Sequence, residues 1–285
     1  MTDYPNAKIN LGLNVLRKRE DGFHDLETVF YPVPLTDVLE ILESPKSLNK
    51  IEPHLSGIKI PGDIRENLVY RIIQDIQEEF KLPNIEFFLH KRIPLGAGLG
   101  GGSSDAATAL TMINKIFSLG LSPDEMEVRI AKYGADCAFF IRNTPALAHG
   151  IGNELSPVNI TLKGKILLLV KPQTFVSTKE AYAGIKPQIP NKPLMEILYQ
   201  DLKYWKSELH NDFEDTIFKT HPEISSIKET LYDMGATYAS MSGSGSAVFG
   251  IFEEGILKTS GFKDGLDATK IFTDCFVHTS RLMRF

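Results

Sequence analysis

Pro94–Ala107 reads P-L-G-A-G-L-G-G-G-S-S-D-A-A, with five glycines in the seven residues Gly96–Gly102. Glycine accepts left-handed backbone and lets a ligand approach the main chain, and ordering it costs more chain entropy than ordering any other residue. So dense a run is not explained by a plain flexible turn. The apolar pattern of Ile85–His90 predicts a strand leading in. On the far side Ala106, Ala107, Ala109, Leu110, Ile113, Ile116 and Phe117 recur at helical spacing. A glycine-rich turn between a strand and a helix N-terminus offers free N–H groups and the positive end of a helix dipole, which suits phosphate. Ser103 and Ser104 stand where they can cap that helix or donate to phosphate oxygens.

Two other phosphate-binding patterns compete for the same residues. Gly96, Gly98 and Gly101 satisfy G-x-G-x-x-G, a dinucleotide-binding turn, but that fingerprint is weak without an acidic residue closing the following strand about 20 residues on. The Walker pattern fails because no lysine follows the last glycine. Positive charge for a nucleotide must then come from Mg²⁺ or from a lysine elsewhere. Lys91 and Arg92, entering the run, are candidates for neutralising phosphates or for solvating a strand end.

Outward from the run, Ala7–Val15 alternates as a half-buried strand, followed by a charged turn, an extended region around Thr28–Pro34 and a strand at Val38–Leu42. Residues 43–63, broken by Pro, Gly and Ser, read as loops with short strands. Asn67–Phe80 is an amphipathic helix. Ser122, Pro123 and Glu125 form a capping box opening the next helix, which Gly134 is expected to end as a left-handed residue. Cys137–Ile141 reads as a short strand, and residues 142–164 as a polar, irregular boundary dividing 1–154 from 155–285. The second part carries a strand at Lys165–Val170, helices near Lys192–Ser207 and Glu223–Met234, a stop at Gly235, the small-residue run Ser240–Ser246 and a strand at Ala247–Phe252. The fold class is α+β.

The chain's 285 residues, 42% hydrophobic and 24% charged, can bury a substantial core. A net charge of -5 argues against a general nucleic-acid binder. Cys137 and Cys275 are too few for a disulfide framework and lack metal-ligand spacing, so ordinary buried thiols are expected. No basic-plus-apolar leader opens the sequence and no apolar run reaches about 18 residues, so the cytoplasm is the expected address, with a small-molecule substrate, no nucleic acid and no membrane partner.

Three separated motifs then align: P-N-A-K-I-N-L at Pro5–Leu11, the glycine run, and M-S-G-S-G-S-A-V-F-G at Met241–Gly250. Together they resemble the GHMP small-molecule kinases. R-E-D-G-F-H-D-L at Arg19–Leu26, G-A-D at Gly134–Asp136 and K-P-Q-T-F-V-S-T-K-E-A-Y at Lys171–Tyr182 narrow the resemblance to the branch that phosphorylates a cytidine-diphosphate sugar alcohol in non-mevalonate isoprenoid precursor synthesis. The resemblance implies a two-domain fold, ribosomal-protein-S5-like then ferredoxin-like, with ATP and Mg²⁺ as cofactors. It makes Asp136 the acceptor of the proton from the substrate's 2-hydroxyl and Lys8 the ammonium that offsets developing charge. Pro94, Gly96, Ala97, Gly98, Leu99, Gly100, Gly101, Gly102, Ser103 and Ser104 become the ATP-phosphate residues, with Asn67 toward adenosine. Phe23 and Phe175 would clamp cytosine by stacking, and His24 would read its edge. Asn10, Thr178, Gly243 and Ser244 complete the substrate side, with Asn10 equally able to make a strand-edge hydrogen bond. Phe23 departs from the family's usual Tyr, keeping the stacking face and losing the hydroxyl, and Asn153 replaces a frequent Glu. Retained Lys8 and Asp136 argue against a non-catalytic nucleotide-binding module. A homoserine or mevalonate kinase would explain the three shared motifs but not D-G-F-H together with the Phe175 segment.

Overall fold

The computed structural model describes residues 1–44, 50–255 and 265–283. In chain order the first elements are β1 (Thr2–Asp3), β2 (Asn6–Lys18), β3 (His24–Thr36), β4 (Val38–Glu43), β5 (Ile51–Gly57), α1 (Leu68–Phe80) and β6 (Ile85–Lys91). Then follow α2 (Gly101–Ile116), α3 (Pro123–Ile130), α4 (Phe139–Arg142), β7 (Ala146–His149), β8 (Glu154–Pro157) and β9 (Ile166–Lys171). The remainder is α5 (Thr178–Ala183), α6 (Leu194–Leu198), α7 (Leu202–Glu208), α8 (Glu214–Thr220), α9 (Pro222–Asp233), β10 (Tyr238–Met241), β11 (Val248–Phe252), α10 (Gly265–Ile271) and β12 (Phe276–Arg281).

Two compact units emerge, and neither is a continuous segment. One comprises Met1–Ala7, Leu35–Leu95 and Gly100–Thr144; the other comprises Lys8–Pro34, Gly96–Leu99 and Pro145–Phe285. The glycine run is thus divided after Leu99.

In the first unit the sheet order is β1-β4-β6-β5, with β6 antiparallel to β4 and parallel to β5. Alternation along β6 sends Ile85, Phe87 and Leu89 inward. They join the buried faces of α1 (Val69, Ile72, Ile73, Ile76) and α2 (Ala106, Ala109, Leu110, Ile113). Asn67 is the N-cap of α1, its side-chain oxygen accepting from Val69 N at 2.9 Å. The capping box of α3 is present as expected, Ser122 and Glu125 satisfying one another's backbone N–H.

The second unit holds most of β2 and β3, in a sheet ordered β2-β3-β7-β8, and a second sheet ordered β10-β11-β9-β12. Leu13, Val15, Leu168, Val170, Phe213, Ile224, Leu231 and Val248 belong to one apolar core. At the end of α9, Gly235 adopts φ +93°, the left-handed stop expected there.

Three expectations are corrected. Cys137–Ile141 is not a strand: a turn leads into the short helix α4, and a four- or five-residue apolar run carries no period that separates the two. α3 ends at Ile130 and passes through a single 3₁₀ turn, Ala131–Tyr133, so Gly134 (φ 168°) is extended rather than left-handed. Residues 142–164 contain the antiparallel pair β7–β8, with β7 adding to β3 through Thr28↔Ala148 and Phe30↔Ala146. In the region 43–63, β5 is a seven-residue strand, and residues 45–49 lie outside the described residues.

Candidate active site

Up to Gly100 the glycine run is an irregular turn whose residues alternate in duty. Ala97 and Leu99 are buried and anchor it, whereas Gly96, Gly98 and Gly100 take φ of +56°, +73° and +69°. Left-handed backbone at every second position is what only glycine supplies cheaply. Close approach adds a second requirement at Gly98, where a Cβ would sit 1.9 Å from Ser242 O. The helix α2 starts inside the run, at Gly101, earlier than the alanine periodicity suggested. Its N-cap is Gly100, with no side-chain cap, so Ser103 and Ser104 do not cap it. Ser104 lies buried in the first turn and its N–H bonds Gly100 O at 2.9 Å. The first N–H groups of this sixteen-residue helix therefore receive no side-chain cap.

Asp136 sits in the turn before α4, half-buried. Its neighbour Cys137 is buried against Ser103 of the first turn of α2. Burial first, and then the Asp136 charge, push the Cys137 thiol up to about 11, where it stays protonated and inert. Within the first unit, the carboxylate-bearing turn is thus built beside the start of α2.

Lys8 is 3% exposed on β2. Its Nζ donates to Asn10 Oδ1 at 2.8 Å and lies 4.8 Å from the Phe30 ring centroid, while its backbone N–H donates to Leu99 O at 2.9 Å. The strand carrying the lysine is therefore stitched to the first half of the glycine run. Asn10 Nδ2 donates to Thr28 Oγ1 at 3.0 Å. Both ends of that amide are engaged within the protein, which makes Asn10 a holder of Lys8.

Phe23 is 59% exposed at the tip between β2 and β3. The charges of R-E-D-G-F-H-D shape that tip: Arg19 bridges Asp21 at 2.8 Å and Asp25 at 3.1 Å, and Asp21 Oδ1 accepts from Phe23 N at 3.0 Å. His24, one residue on, stacks on Tyr182 with centroids 4.8 Å apart and planes 20° from parallel. Burial, with Lys18 adding, lowers its pKa, so the ring is neutral near pH 7 and has one donor and one acceptor. Tyr182 in turn lies edge-on to Phe213 at 4.8 Å. Phe175, 65% exposed, covers Gly96, whose Cβ would fall 2.4 Å from its ring. Thr178 is exposed at the start of α5, after the N-cap Ser177.

The turn after β10 packs on the glycine run. Ser242 Oγ donates to Gly98 O at 2.9 Å and Ala247 N to Ala97 O at 3.3 Å. Gly243 is buried in it with φ +55°, and Ser244 is half-buried. Asn153 serves locally, accepting from Ile151 N at 3.2 Å.

Lys91 corrects the reading of the residues entering the run. It is neither a phosphate ligand nor a solvated strand end. Its side chain is 1% exposed and donates to Asp37 and, at 2.6 Å, to Asp105. Asp37 also accepts from Arg92 N and Ile93 N, the latter at 2.8 Å. Neither aspartate was expected in any role. The signal was present: Lys91 continues the inward alternation of Ile85, Phe87 and Leu89, and Asp105 shares the inward face of α2. Arg92 stays exposed. A cavity of about 610 Å³ in the second unit, lined by Asn14, Lys192, Leu194, Leu209 and His210 among others, includes none of the expected site residues.

The family model for the GHMP kinase N-terminal domain matches residues 67–144, and that for the C-terminal domain matches 193–259. The class is therefore that of an ATP-dependent small-molecule kinase. The 4-diphosphocytidyl-2-C-methyl-D-erythritol kinase of Bacteroides thetaiotaomicron is 53% identical over 258 residues, covering 90% of this chain and 94% of its own. That of Parabacteroides distasonis is 46% identical over 282 residues, 99% of this chain and all of its own. A crystal structure of a 4-(cytidine 5'-diphospho)-2C-methyl-D-erythritol kinase superimposes with a TM-score of 0.80 at 30% identity, covering 98% of both chains. A homoserine kinase from Cytophaga hutchinsonii, at 17% identity and TM-score 0.70, shares the fold. The chain belongs to the 4-diphosphocytidyl-2-C-methyl-D-erythritol kinase family of the GHMP kinases. Its fold is the two-domain α+β fold of that family. No helix among the described residues is long and apolar enough to cross a membrane.

Proposed function

We propose that this chain transfers the γ-phosphoryl group of Mg-ATP to the 2-hydroxyl of 4-diphosphocytidyl-2-C-methyl-D-erythritol in the non-mevalonate route to isoprenoid precursors. The observation that carries the reading is the 46% identity to one such kinase along 99% of the chain. Residues 1–154 supply the nucleotide side, together with Phe23 and His24, and residues 155–285 the rest of the substrate side.

In this reading the N–H groups of Gly96–Ser104 and the start of α2 bind the phosphates, and magnesium arrives as part of the Mg-ATP substrate. Asn67 faces adenosine. Asp136 takes the hydroxyl proton, and the Lys8 ammonium, oriented by Asn10, stabilises the charge that develops on the transferred group. The exposed rings of Phe23 and Phe175 give cytosine stacking surfaces, and neutral His24, oriented by Tyr182, exchanges hydrogen bonds with the base edge. Thr178, Gly243 and Ser244 line the substrate. The reaction runs in the cytoplasm.

Incubation with Mg-ATP and each candidate alcohol separately tests the reading. ADP release is expected with the cytidine-diphosphate polyol alone, and equal turnover of homoserine or mevalonate overturns it. Asp136→Asn is expected to bind both substrates while kcat falls by about 10²–10⁴-fold. A fully active variant removes Asp136 from its role.

A further inference from the structure

The stretch Asn211–Glu214, N-D-F-E, contains no glycine and none of the motifs that carry the family resemblance. It leads from the loop after α7 into the first residue of α8, and each of its four side chains holds part of the machinery in the second unit. Asn211, 2% exposed, donates from Nδ2 to Met241 O at 2.8 Å and to Gly243 O at 2.9 Å. Glu214, 7% exposed, accepts from Met241 N at 2.7 Å and Ser240 Oγ at 3.0 Å, and pairs with Lys228 at 2.5 Å. Asp212 Oδ2 accepts from Val15 N at 2.7 Å on the strand that carries Lys8 and Asn10. Phe213 supports Tyr182, on which His24 stacks.

The main chain repeats the pattern. Leu13 N donates to His210 O and Asp212 N to Leu13 O, both at 2.9 Å, so the segment runs as a short parallel extension beside β2. The turn that Asn211 grips is the one whose Ser242 bonds Gly98 O and whose Ser242 carbonyl forbids a Cβ on Gly98. Asn211 thus holds the main chain on either side of Ser242, and Ser242 in turn bonds the glycine run. Buried amides that satisfy two carbonyls at once fix a turn in one geometry, because any other leaves polar groups unpaired in a dry environment.

We propose that Asn211–Glu214 is a positioning element for phosphoryl transfer: it holds the turn 241–246 against Gly98 and so sets the curvature of the run that takes the nucleotide phosphates. Asn211 is its central positioning residue and touches neither substrate. The inference rests on the kinase reading above for the identity of the bound nucleotide.

The test is a double-mutant cycle in the full chain with Asn211→Ala and Ser242→Ala. The readouts are kcat, the KM for Mg-ATP and for the alcohol, and the Kd of a non-hydrolysable ATP analogue, all measured well below the melting temperature. Each single variant should weaken the ATP parameters by ~tenfold, about one hydrogen bond's worth, and raise the KM for the alcohol by a smaller factor, through Gly243 and Ser244 of the same turn. The double variant should be no worse than Asn211→Ala alone, since both substitutions release the same turn. Unchanged ATP parameters in either folded variant, or effects that multiply in the double variant, overturn the proposal. If Asn211→Ala does not fold, Ser242→Ala decides by itself, an unchanged analogue Kd being the adverse result. A parent chain that binds the analogue but phosphorylates no alcohol sinks the functional reading and leaves this measurement intact.

Discussion

The two halves of the glycine run are anchored by opposite chemistry. Gly100–Ser104 belongs to the unit in which Lys91 is clamped between Asp37 and Asp105, an ionic cluster with side chains at most 4% exposed. Gly96–Leu99 belongs to the unit in which Asn211 and Ser242 hold the turn by neutral hydrogen bonds to carbonyls. A buried ion cluster is costly to assemble and ruinous to break, whereas a neutral hydrogen bond contributes about 0.5–1.5 kcal/mol net. Gly100–Ser104 is therefore fixed by the fold itself. Gly96–Leu99 is fixed by the turn after β10, and the loss of that hold should show in nucleotide affinity before it shows in stability.

The sharpest way to break that contrast is Asp37→Ala. It leaves the Lys91 ammonium with Asp105 alone, strands the N–H groups of Arg92 and Ile93, and should cost about 3–5 kcal/mol in urea unfolding. A cost below about 1 kcal/mol, as for a neutral bond, would erase the distinction. Gly98→Ala comes next. Its Cβ would meet Ser242 O at 1.9 Å on left-handed backbone, so KM for Mg-ATP should rise by at least ~tenfold, read from steady-state kinetics.

A pH experiment distinguishes the anchors more finely. Burial, partly offset by Lys91, pushes the Asp105 carboxyl up from 3.8 to about 8. Between those values the folded chain keeps a proton that the unfolded chain has released. The group's contribution is therefore fully present below 3.8 and is lost as pH rises through about 8. Asp105→Asn has no such titration. Thermal melts from about pH 5 to about pH 8 should show the parent losing stability relative to this variant as pH rises, and a constant difference would contradict the shift. The smallest effect is expected at Gly102→Ala. Nothing lies within 4 Å of its added Cβ, and a helical alanine should add about 0.4–1 kcal/mol in urea unfolding. The same change is thus ruinous at one glycine of the run and benign at another.

Much of the local architecture was legible from residues alone, because it depends on local periodicity and caps. The amphipathic α1, the capping box at Ser122, the stop at Gly235 and the glycine run each announce themselves within a few positions. Short apolar runs without a resolvable period, such as Cys137–Ile141, were misread, since burial on all sides looks the same in a strand and in a helical turn. Lys91 was misread for a different reason: a lysine beside a phosphate loop suggests a ligand, and only its inward register shows otherwise.

The glycine run itself marks the limit between the two kinds of information. The sequence by itself determined that the glycine run departs from the Walker pattern, that the chain is an α+β kinase of the GHMP type, and which motifs contain Lys8, Asp136 and His24. Only the tertiary structure decided what holds those groups. Asp37 meets Lys91 across 54 positions and Asn211 meets Gly243 across 32, and nothing local ties such residues together. Their pairing follows from strand register and from the requirement that buried polar groups find partners, conditions that exist only once the chain has folded.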